Sequence, residues 1–392
     1  MMHNFYVQPG GEDAVFRAEA ELLRSRDVAV SEYAVHNGAL AEQNKMVASA
    51  NAVFSWSSFG ALSELLEQEK PDVVHVHNTF PILSPSIYYA AKRGRVPIVR
   101  TLHNYRPLCP AATLFRDGQV CESCLGRSVP WPAVRHKCYR GSRVTTAVAS
   151  TAKALHELAG TYDKQVDHFI IMTDFGKQKY VEGGFPAERI SVKPHFLAQD
   201  PGPGAGGNYA LFVGRLAEEK GVETLLNAWR RRPGMPLKIV GDGPLRDLVK
   251  AAAEAIDEVE WLGHQPKADV LNLMGGAGVV IVPSIWYEPF GLVIIEAYAK
   301  GTPVLASNIG GLSELVDGAQ LFKPGDPDDL DEKLGALLRG DQAGLRRQAR
   351  ARFESDFTAE RNFGLLMDVY KRAGFYQPEP SPTLRYSPSP PA

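Results

Sequence analysis

Residues 278–297 read Gly278-Val279-Val280-Ile281-Val282-Pro283-Ser284-Ile285-Trp286-Tyr287-Glu288-Pro289-Phe290-Gly291-Leu292-Val293-Ile294-Ile295-Glu296-Ala297. A β-branched run, a turn rich in Pro and Gly and then an apolar helical run make one strand–turn–helix unit, the element of parallel α/β folds. Two carboxylates, Glu288 and Glu296, stand in this apolar setting with seven residues between them. Glu296 is expected about one turn into the helix, among Leu292, Val293, Ile294, Ile295 and Ala297. Burying even a neutral polar group without a partner costs about 2–7 kcal/mol, so this carboxylate is expected to face a pocket or a partner. A helix-dipole or capping role near the N-terminus, worth about 0.3–1 kcal/mol, is the plainer reading.

The same unit recurs outward in both directions. In the first half, strands are expected at Val28–Val35, Asp72–His77, Val96–Leu102 and Asp167–Met172, and a helix opens at Gly11-Glu12-Asp13. A Gly- and Pro-dense stretch from Leu197 to Asn208 marks a hinge. A second series follows at Tyr209–Val213, Leu237–Val240, Val259–Leu262, Val279–Val282 and Pro303–Ala306, closed by helical patterns at Leu330–Leu338, Leu345–Phe353 and Asn362–Lys371. The expected organisation is an N-terminal α/β domain at 1–198 carrying a Cys-rich basic insertion at 104–143, and a hinge at 199–208. A C-terminal α/β domain at 209–355 follows, then a helix at 356–374 returning to the N-terminal domain and a disordered Pro-rich tail at 375–392. Two doubly wound domains joined by a hinge imply a cleft, the usual ligand site of such architectures.

With 392 residues, about two domains is the natural expectation. Apolar and charged contents of 44% and 22% are those of a soluble globular protein. A net charge of −2 argues against a nucleic-acid binder. No apolar run reaches the ~18 residues of a membrane span, and Met1–Val7 lacks the features of a secretory signal, so a cytoplasmic protein is expected.

Three turns suit phosphate: Pro9-Gly10-Gly11, Gly291, and Gly310-Gly311-Leu312-Ser313-Glu314, each before a helical pattern. Helix N-termini offer free N–H groups, and glycine lets an anion approach closely. Neither a Gly-x-Gly-x-x-Gly nor a Gly-x4-Gly-Lys-Ser/Thr motif is present, so the site is neither of those phosphate-binding types. Gly214-Arg215-Leu216-Ala217-Glu218-Glu219-Lys220-Gly221 leaves the first strand of the second domain. Arg215 and Lys220 there suit a diphosphate, the Arg by its fork and the Lys as a point charge. A solvated turn paired with Glu218 and Glu219 is the alternative.

Together, Gly214-Arg215…Lys220-Gly221, Gly241-Asp242-Gly243-Pro244-Leu245, Pro283–Gly291, Glu296 and Gly310-Gly311 resemble the signature of the retaining GT-B glycosyltransferases of family 4. Gly10-Gly11 and the His103 of Thr101-Leu102-His103-Asn104 fit the same family, and the resemblance runs to about Lys371. It implies two Rossmann-like domains facing a cleft, and transfer of a sugar from a nucleotide-diphosphate donor to an acceptor with retention. Arg215, Lys220, Gly214 and helix N–H groups are then expected at the diphosphate, with Gly10 and Gly11 across the cleft. Glu288 and the Phe290-Gly291-Leu292 backbone are expected at the donor sugar, Glu296 at the ribose, and His103 facing the sugar from the other domain. No catalytic metal is expected, since no suitable Asp-x-Asp is present. A sugar or lipid-linked acceptor in surface polysaccharide or glycolipid assembly is implied. A GT-B epimerase and a non-catalytic sugar-nucleotide binder are the other readings. A glycoside hydrolase is disfavoured, because its two carboxylates must flank one glycosidic bond.

Relatives open on a longer apolar strand, so the first strand, with only Met1–Val7 before Gln8, is expected to be short and its edge of the sheet weak. His75 and His77 share one face of a strand, which suits packing, acceptor contact or a metal pair. His195 stands where relatives more often carry Asn and is given no role.

All four cysteines, Cys109, Cys121, Cys124 and Cys138, fall in one short segment. In a cytosolic chain this reads as a structural zinc site before disulfides, although the outer gaps match no standard finger. From Ser123 to His156 there is no acid, while Arg127, Arg135, Lys137, Arg140, Arg143 and Lys153 accompany Trp131 and Tyr139. Residues 127–143 therefore suit an anionic membrane surface, for an enzyme held peripherally on its inner face, or else offset a zinc–tetrathiolate.

Overall fold

The structure, a computed structural model, describes residues 1–375 apart from Pro9, Gln43, Arg232 and Pro233. The expected Pro-rich tail from Gln377 onward lies outside the described residues.

Fourteen strands are described: β1 (Met2–Phe5), β2 (Tyr33–His36), β3 (Val74–Val76), β4 (Ile98–Thr101), β5 (Phe115–Arg116), β6 (Gln119–Val120), β7 (His168–Ile171), β8 (Ile190–Val192), β9 (Ala210–Val213), β10 (Leu237–Val240), β11 (Val259–Gly263), β12 (Val279–Val282), β13 (Val304–Ser307) and β14 (Leu321–Phe322). Twelve form two parallel sheets, ordered β2-β1-β3-β4-β7-β8 and β11-β10-β9-β12-β13-β14. β5 and β6 make a separate antiparallel hairpin in the insertion. The second sheet has the strand order of dinucleotide-binding folds, and the first has the other common doubly wound order.

The strands are buried on both faces because helices cover both. Val279–Val282 and Val304–Ser307 are buried at every position, so they read as continuous apolar runs rather than alternating ones. In each sheet the winding reverses once, between β1 and β3 in the first and between β9 and β12 in the second. Crevices open at the carboxyl ends of the strands at such reversals. The Arg215–Lys220 loop leaves β9 and the Glu288 turn leaves β12, so the topology alone brings them together.

Several boundaries differ from the sequence expectation. β1 is an interior strand paired with β2 and β3, not a weakened edge. The Asn4 side chain braces it, accepting from the Ile82 N–H at 2.9 Å, while its carbonyl accepts from Asn78 Nδ2. The second strand covers only Tyr33–His36; Val28 and Val30 pack beside the C-terminal helix instead. β8 and β14 were not anticipated, being too short to carry a pattern.

The chain passes from β8 to β9 through residues 193–209 and returns beside itself, Leu197 bridging Thr358 and donating to the Phe357 carbonyl at 3.1 Å. The helix Ala359–Ala373 then lays Leu366, Met367, Val369 and Tyr370 against Val99 and Ile170 of the first sheet. Two adjacent crossings form the strap between the domains.

Candidate active site

The loop after β9 tightens into a single turn, Glu218–Lys220, ending at Gly221 with φ +67°. A β-carbon on Gly221 would stand 1.8 Å from the Pro283 carbonyl oxygen, so only glycine lets this turn lie on the end of β12. The Ile285 N–H locks the two loops by donating to the Glu219 carbonyl at 2.9 Å. Lys220 Nζ thus reaches Glu288 Oε1 at 2.5 Å, and Ser284 Oγ donates to Glu288 Oε2 at 2.7 Å. The Trp286 ring lies 5.4 Å from the same ammonium. Arg215 is exposed and has no ion-pair partner among the described residues.

Gly291 caps the helix Leu292–Ala299 without a side-chain bond, so the first N–H groups of that helix remain available to an acceptor. Across the cleft, a β-carbon on Gly11 would lie 2.9 Å from Leu292 Cδ1. The Gly10-Gly11 turn therefore faces the start of this helix. It is held there by Asp13, which accepts from the Gly10 N–H at 3.1 Å and bonds His3 Nε2 at 2.7 Å.

Glu296 is buried and is paired to Lys267. Burial pushes its carboxyl up from the ordinary value, and the Lys267 ammonium opposes that shift. The partner anticipated from the sequence is thus a lysine of the same domain. Lys267 is well exposed, so the pair opens at little cost to the cation.

On the first domain, His103 follows β4 and is buried. Its Nε2 is 2.9 Å from His77 Nδ1, and its ring stacks between His77 and His195 at centroid distances of 5.1 and 5.4 Å. His195 in turn meets Phe290 of the second domain edge-on at 5.0 Å. His195, given no role from the sequence, is therefore the contact between His103 and the Glu288–Gly291 turn. An isolated Lys-Pro-His carries no local signal of that stacking. Burial, reinforced by the neighbouring imidazoles His77 and His195, keeps His103 well below its ordinary pKa and hence neutral. Burial and Lys193 hold His195 down to about 3.

Behind His77 lies Glu19, whose Oε2 is 3.3 Å from His77 Nε2 and whose Oε1 meets Lys193 Nζ at 2.5 Å. Burial works against the Glu19 charge, yet Lys193 and His77 hold its carboxyl well below the usual range. Either His77 Nδ1 or His103 Nε2 can be the donor of the bond between them. His103 Nδ1 is buried with no hydrogen-bond partner among the described residues.

Glu19, His75 and His77 are the one set of three metal-type donors lying within 4.8 Å of one another among the described residues. A cation does not suit them. Lys193 already neutralises Glu19, and His75 spends both nitrogens on Tyr370 Oη and Thr101 Oγ1, at 2.9 and 2.8 Å.

The turn at Gly310-Gly311 also departs from expectation. Its helix, Leu312–Leu315, is one turn long, and the Gly311 N–H is spent on the Glu288 carbonyl at 3.2 Å. Glu314 reaches the first domain, accepting from the Asp174 N–H at 2.8 Å and from the Phe175 N–H, and so caps the helix Asp174–Glu182. The four cysteines are free thiols. Their sulfurs do not form a closed tetrathiolate, since no three lie within 4.8 Å of one another. They are near enough to act on each other: burial first, then Cys109, Cys138 and Cys121, push the Cys124 thiol up to about 11.

Known proteins share this plan. Residues 9–197 match the family described as Glycosyltransferase Family 4, and residues 196–354 match that described as Glycosyl transferases group 1. The glycogen synthase of Mycobacterium tuberculosis is 32% identical over 329 residues, which cover 80% of this chain and 72% of that protein. The D-inositol 3-phosphate glycosyltransferase of Nocardia farcinica is 32% identical over 309 residues, covering 73% of this chain and 64% of that one. The crystal structure of Anabaena HepE in complex with UDP superposes with a TM-score of 0.64 at 18% identity, over 94% of this chain and 99% of that chain. That likeness is one of fold, two parallel-sheet domains in the GT-B arrangement. On the sequence matches along both halves, the chain belongs to the family 4 glycosyltransferases and is an enzyme of that glycosyl-transferring class.

Proposed function

We propose that the protein transfers a sugar, with retention, from a nucleotide-diphosphate sugar to an acceptor, and that it does so without a catalytic divalent metal. The observation that carries this reading is the Lys220–Glu288–Ser284 cluster at the β9/β12 reversal, with Gly11 of the first domain set against Leu292 at the start of the next helix. The UDP held by the HepE relative supports a nucleoside diphosphate as leaving group. Negative charge grows on that diphosphate as the glycosidic bond breaks. Arg215, Lys220 and the N–H groups after Gly291 are preorganised donors for it, the largest kind of catalytic stabilisation. Glu288 takes the sugar hydroxyls, Glu296 exchanges Lys267 for the ribose, and His103 Nδ1 accepts from a sugar hydroxyl. Glu288 and Glu296 act as binding groups on one domain, each beside a lysine.

The acceptor is read as one at an anionic membrane surface. Among the described residues, Val144, Val148, Thr151, Leu155 and Leu158 form one outward stripe of the helix Arg143–Leu158. Trp131 (53% exposed), Trp56 (73%) and Met46 (82%) are exposed on neighbouring elements. Arg127, Arg135, Lys137, Arg140 and Arg143 are all exposed in the adjoining segment. Apolar groups beside unpaired cations fit an anionic bilayer. The inner face of the same helix, through Ala149, Ala152 and Lys153, shares a cavity with His77 and His103. Such docking puts a lipid-linked acceptor next to the transfer site. No helix among the described residues is long and apolar enough to cross a membrane.

A thermal-shift screen of UDP-, GDP-, ADP- and dTDP-sugars should give one stabilising donor, and NMR of the product should show the donor's anomeric configuration. Inverted product would refute retention. Turnover of UDP-N-acetylglucosamine without acceptor would instead identify an epimerase. Co-sedimentation with liposomes should rise with anionic lipid and fall on Arg140→Glu with Arg143→Glu; indifference to both would remove the membrane from the account.

A further inference from the structure

β4 places an arginine inside the first domain. Arg100 is only 8% exposed, on a strand buried at every position. The centre of its guanidinium lies 5.6 Å from the Tyr88 ring and 4.8 Å from the Tyr162 ring. Such rings favour a cation but supply no counter-charge. The strongest electrostatic neighbours of Arg100 are tyrosines, not carboxylates. Its Nε and Nη1 are buried without a hydrogen-bond partner among the described residues. A buried charge left without its partner is strongly destabilising, so this cation calls for an anion from outside the chain.

Arg100 lines a cavity of about 50 Å³ between β4, the chain after β3 and the helix Arg143–Leu158. One water takes about 10–15 Å³ of such space, so there is room for about three to four oxygen-sized groups. The small side chains of Ala52, Ala149 and Ala152 leave that room. None of the described residues lining the cavity is acidic. Lys153 is neutralised by Glu157, and His156 spends both nitrogens on Thr161 Oγ1 and the Val53 carbonyl, at 2.9 and 2.7 Å. Arg106 brings a second guanidinium, its centre 4.3 Å from the Phe80 ring, with Nη1 donating to the Pro110 carbonyl at 3.0 Å. Glu12 acts on Arg106 from outside the cavity, but Asn104 Nδ2 and Tyr6 Oη already engage it at 2.5 and 3.1 Å. Two cations, Arg100 and Arg106, thus remain to the cavity.

His77 and His103 line the same cavity. A ligand anchored at Arg100 can therefore reach His103 within one continuous space. A phosphomonoester carries a charge of about −1.5 to −2 and three strong acceptor oxygens. Both match two guanidiniums and the room available, whereas a carboxylate brings one charge and two oxygens.

We propose that this cavity binds the phosphoryl group of a phosphorylated acceptor, with Arg100 as its buried counter-charge and Arg106 as the second cation. The inference rests on reading His103 as part of the transfer site. Guanidinium N–H groups suit phosphate oxygens in geometry as well as charge. A soluble phosphomonoester and a lipid phosphate headgroup offer the same chemistry, and the test separates them.

Thermal shift of the full chain at fixed ionic strength, with inorganic phosphate as the probe, tests the site without any donor sugar. Wild-type Tm should rise with phosphate and stay unchanged with acetate. Arg100→Met should need about tenfold or more phosphate for the same rise. Lys220→Ala, altered at the proposed diphosphate site, should respond as wild type does. No rise in the wild type, a rise kept in Arg100→Met, or one lost only in Lys220→Ala would overturn the cavity as a phosphate site and leave the donor reading standing. Should Arg100→Met not fold, Arg106→Met reads the same cavity. Titration with sn-glycerol 3-phosphate and co-sedimentation with phosphatidylcholine vesicles carrying phosphatidic acid then separate the sources. Weakening by the variant of the first assigns a soluble acceptor, and of the second alone a lipid headgroup. Indifference of both to the variant would overturn the phosphorylated acceptor.

Discussion

Lys220 Nζ and Glu288 Oε1 are 2.5 Å apart although 68 residues separate them in the chain. Each side chain is only partly exposed, 23% and 13%, so the pair is shielded but still reachable by a ligand. In the proposed reaction the same two groups divide, the ammonium to the diphosphate and the carboxylate to the sugar. Lys220→Ala and Glu288→Ala should therefore each lower kcat/KM by about 10²–10³-fold. Circular dichroism and Tm should stay close to wild type, since a pair of this kind contributes about 1 kcal/mol or less to stability. Near-normal turnover in either variant would contradict the assigned roles.

Glu296 gives a test in which stability and binding move in opposite directions. Its carboxyl pKa is raised in the fold, chiefly by burial, so the folded state holds the proton more tightly than the unfolded one. The stabilisation from the protonated form is complete below the unfolded value and is lost as pH rises through the folded one. At neutral pH the charge is a burden. Glu296→Gln should raise the Tm of the free enzyme by a few degrees at pH 7 and weaken donor binding, as thermal shift and calorimetry with and without donor would read. A lowered Tm with unchanged affinity would assign the residue to structure alone.

The buried histidines predict the acid response. His3 and His168 are lowered to about 4 and His195 to about 3, in each case first by burial. Between pH 6.5 and those values the unfolded chain binds more protons than the folded one, so stability falls as pH falls. Each group contributes a slope of up to ~1.4 kcal/mol per pH unit. Scanning calorimetry from pH 7.5 to 4.5 should show Tm falling steeply below about pH 6.5, and His168→Gln should flatten that fall.

Gly221 joins backbone conformation to the site. Alanine there meets both a left-handed φ and the Pro283 carbonyl, so Gly221→Ala should destabilise by more than about 1 kcal/mol and weaken donor binding along with it. Urea midpoints and donor titration would check this. Gly10→Ala, with nothing within 4 Å of the added carbon, is the control expected to retain stability.

His77→Phe keeps an aromatic ring in the stack with His103 but deletes the nitrogen bonded to His103 Nε2. The His103 tautomer is then no longer set, and kcat should drop about tenfold or more with a smaller change in KM. Equal losses in a His77→Gln variant, which restores an acceptor, would point to packing instead of tautomer control.

The sequence by itself determined the architecture and the motifs on which the proposed donor site rests. Apolar runs such as Val279–Val282 and Pro303–Ala306, alternating with helical patterns, read as strands of doubly wound sheets, and the Gly- and Pro-rich 199–208 stretch separates two such series. The oddly placed Glu296 was likewise legible, because the cost of burial acts on a single residue. The tertiary structure alone decided what meets across long separations. Lys267 with Glu296, His195 between His103 and Phe290, Glu314 on the helix at Asp174, and the cysteine lobe beside Glu218 and Tyr287 leave no periodic or local trace. Those contacts depend on which sheet edge and which face of the cleft each loop reaches, and that is set by strand order and the crossing of the chain between domains. β1 makes the same point: from the sequence it is only a short strand expected at a weak edge, yet pairing on both sides makes Met2–Phe5 the inner strand on which the first crevice is built.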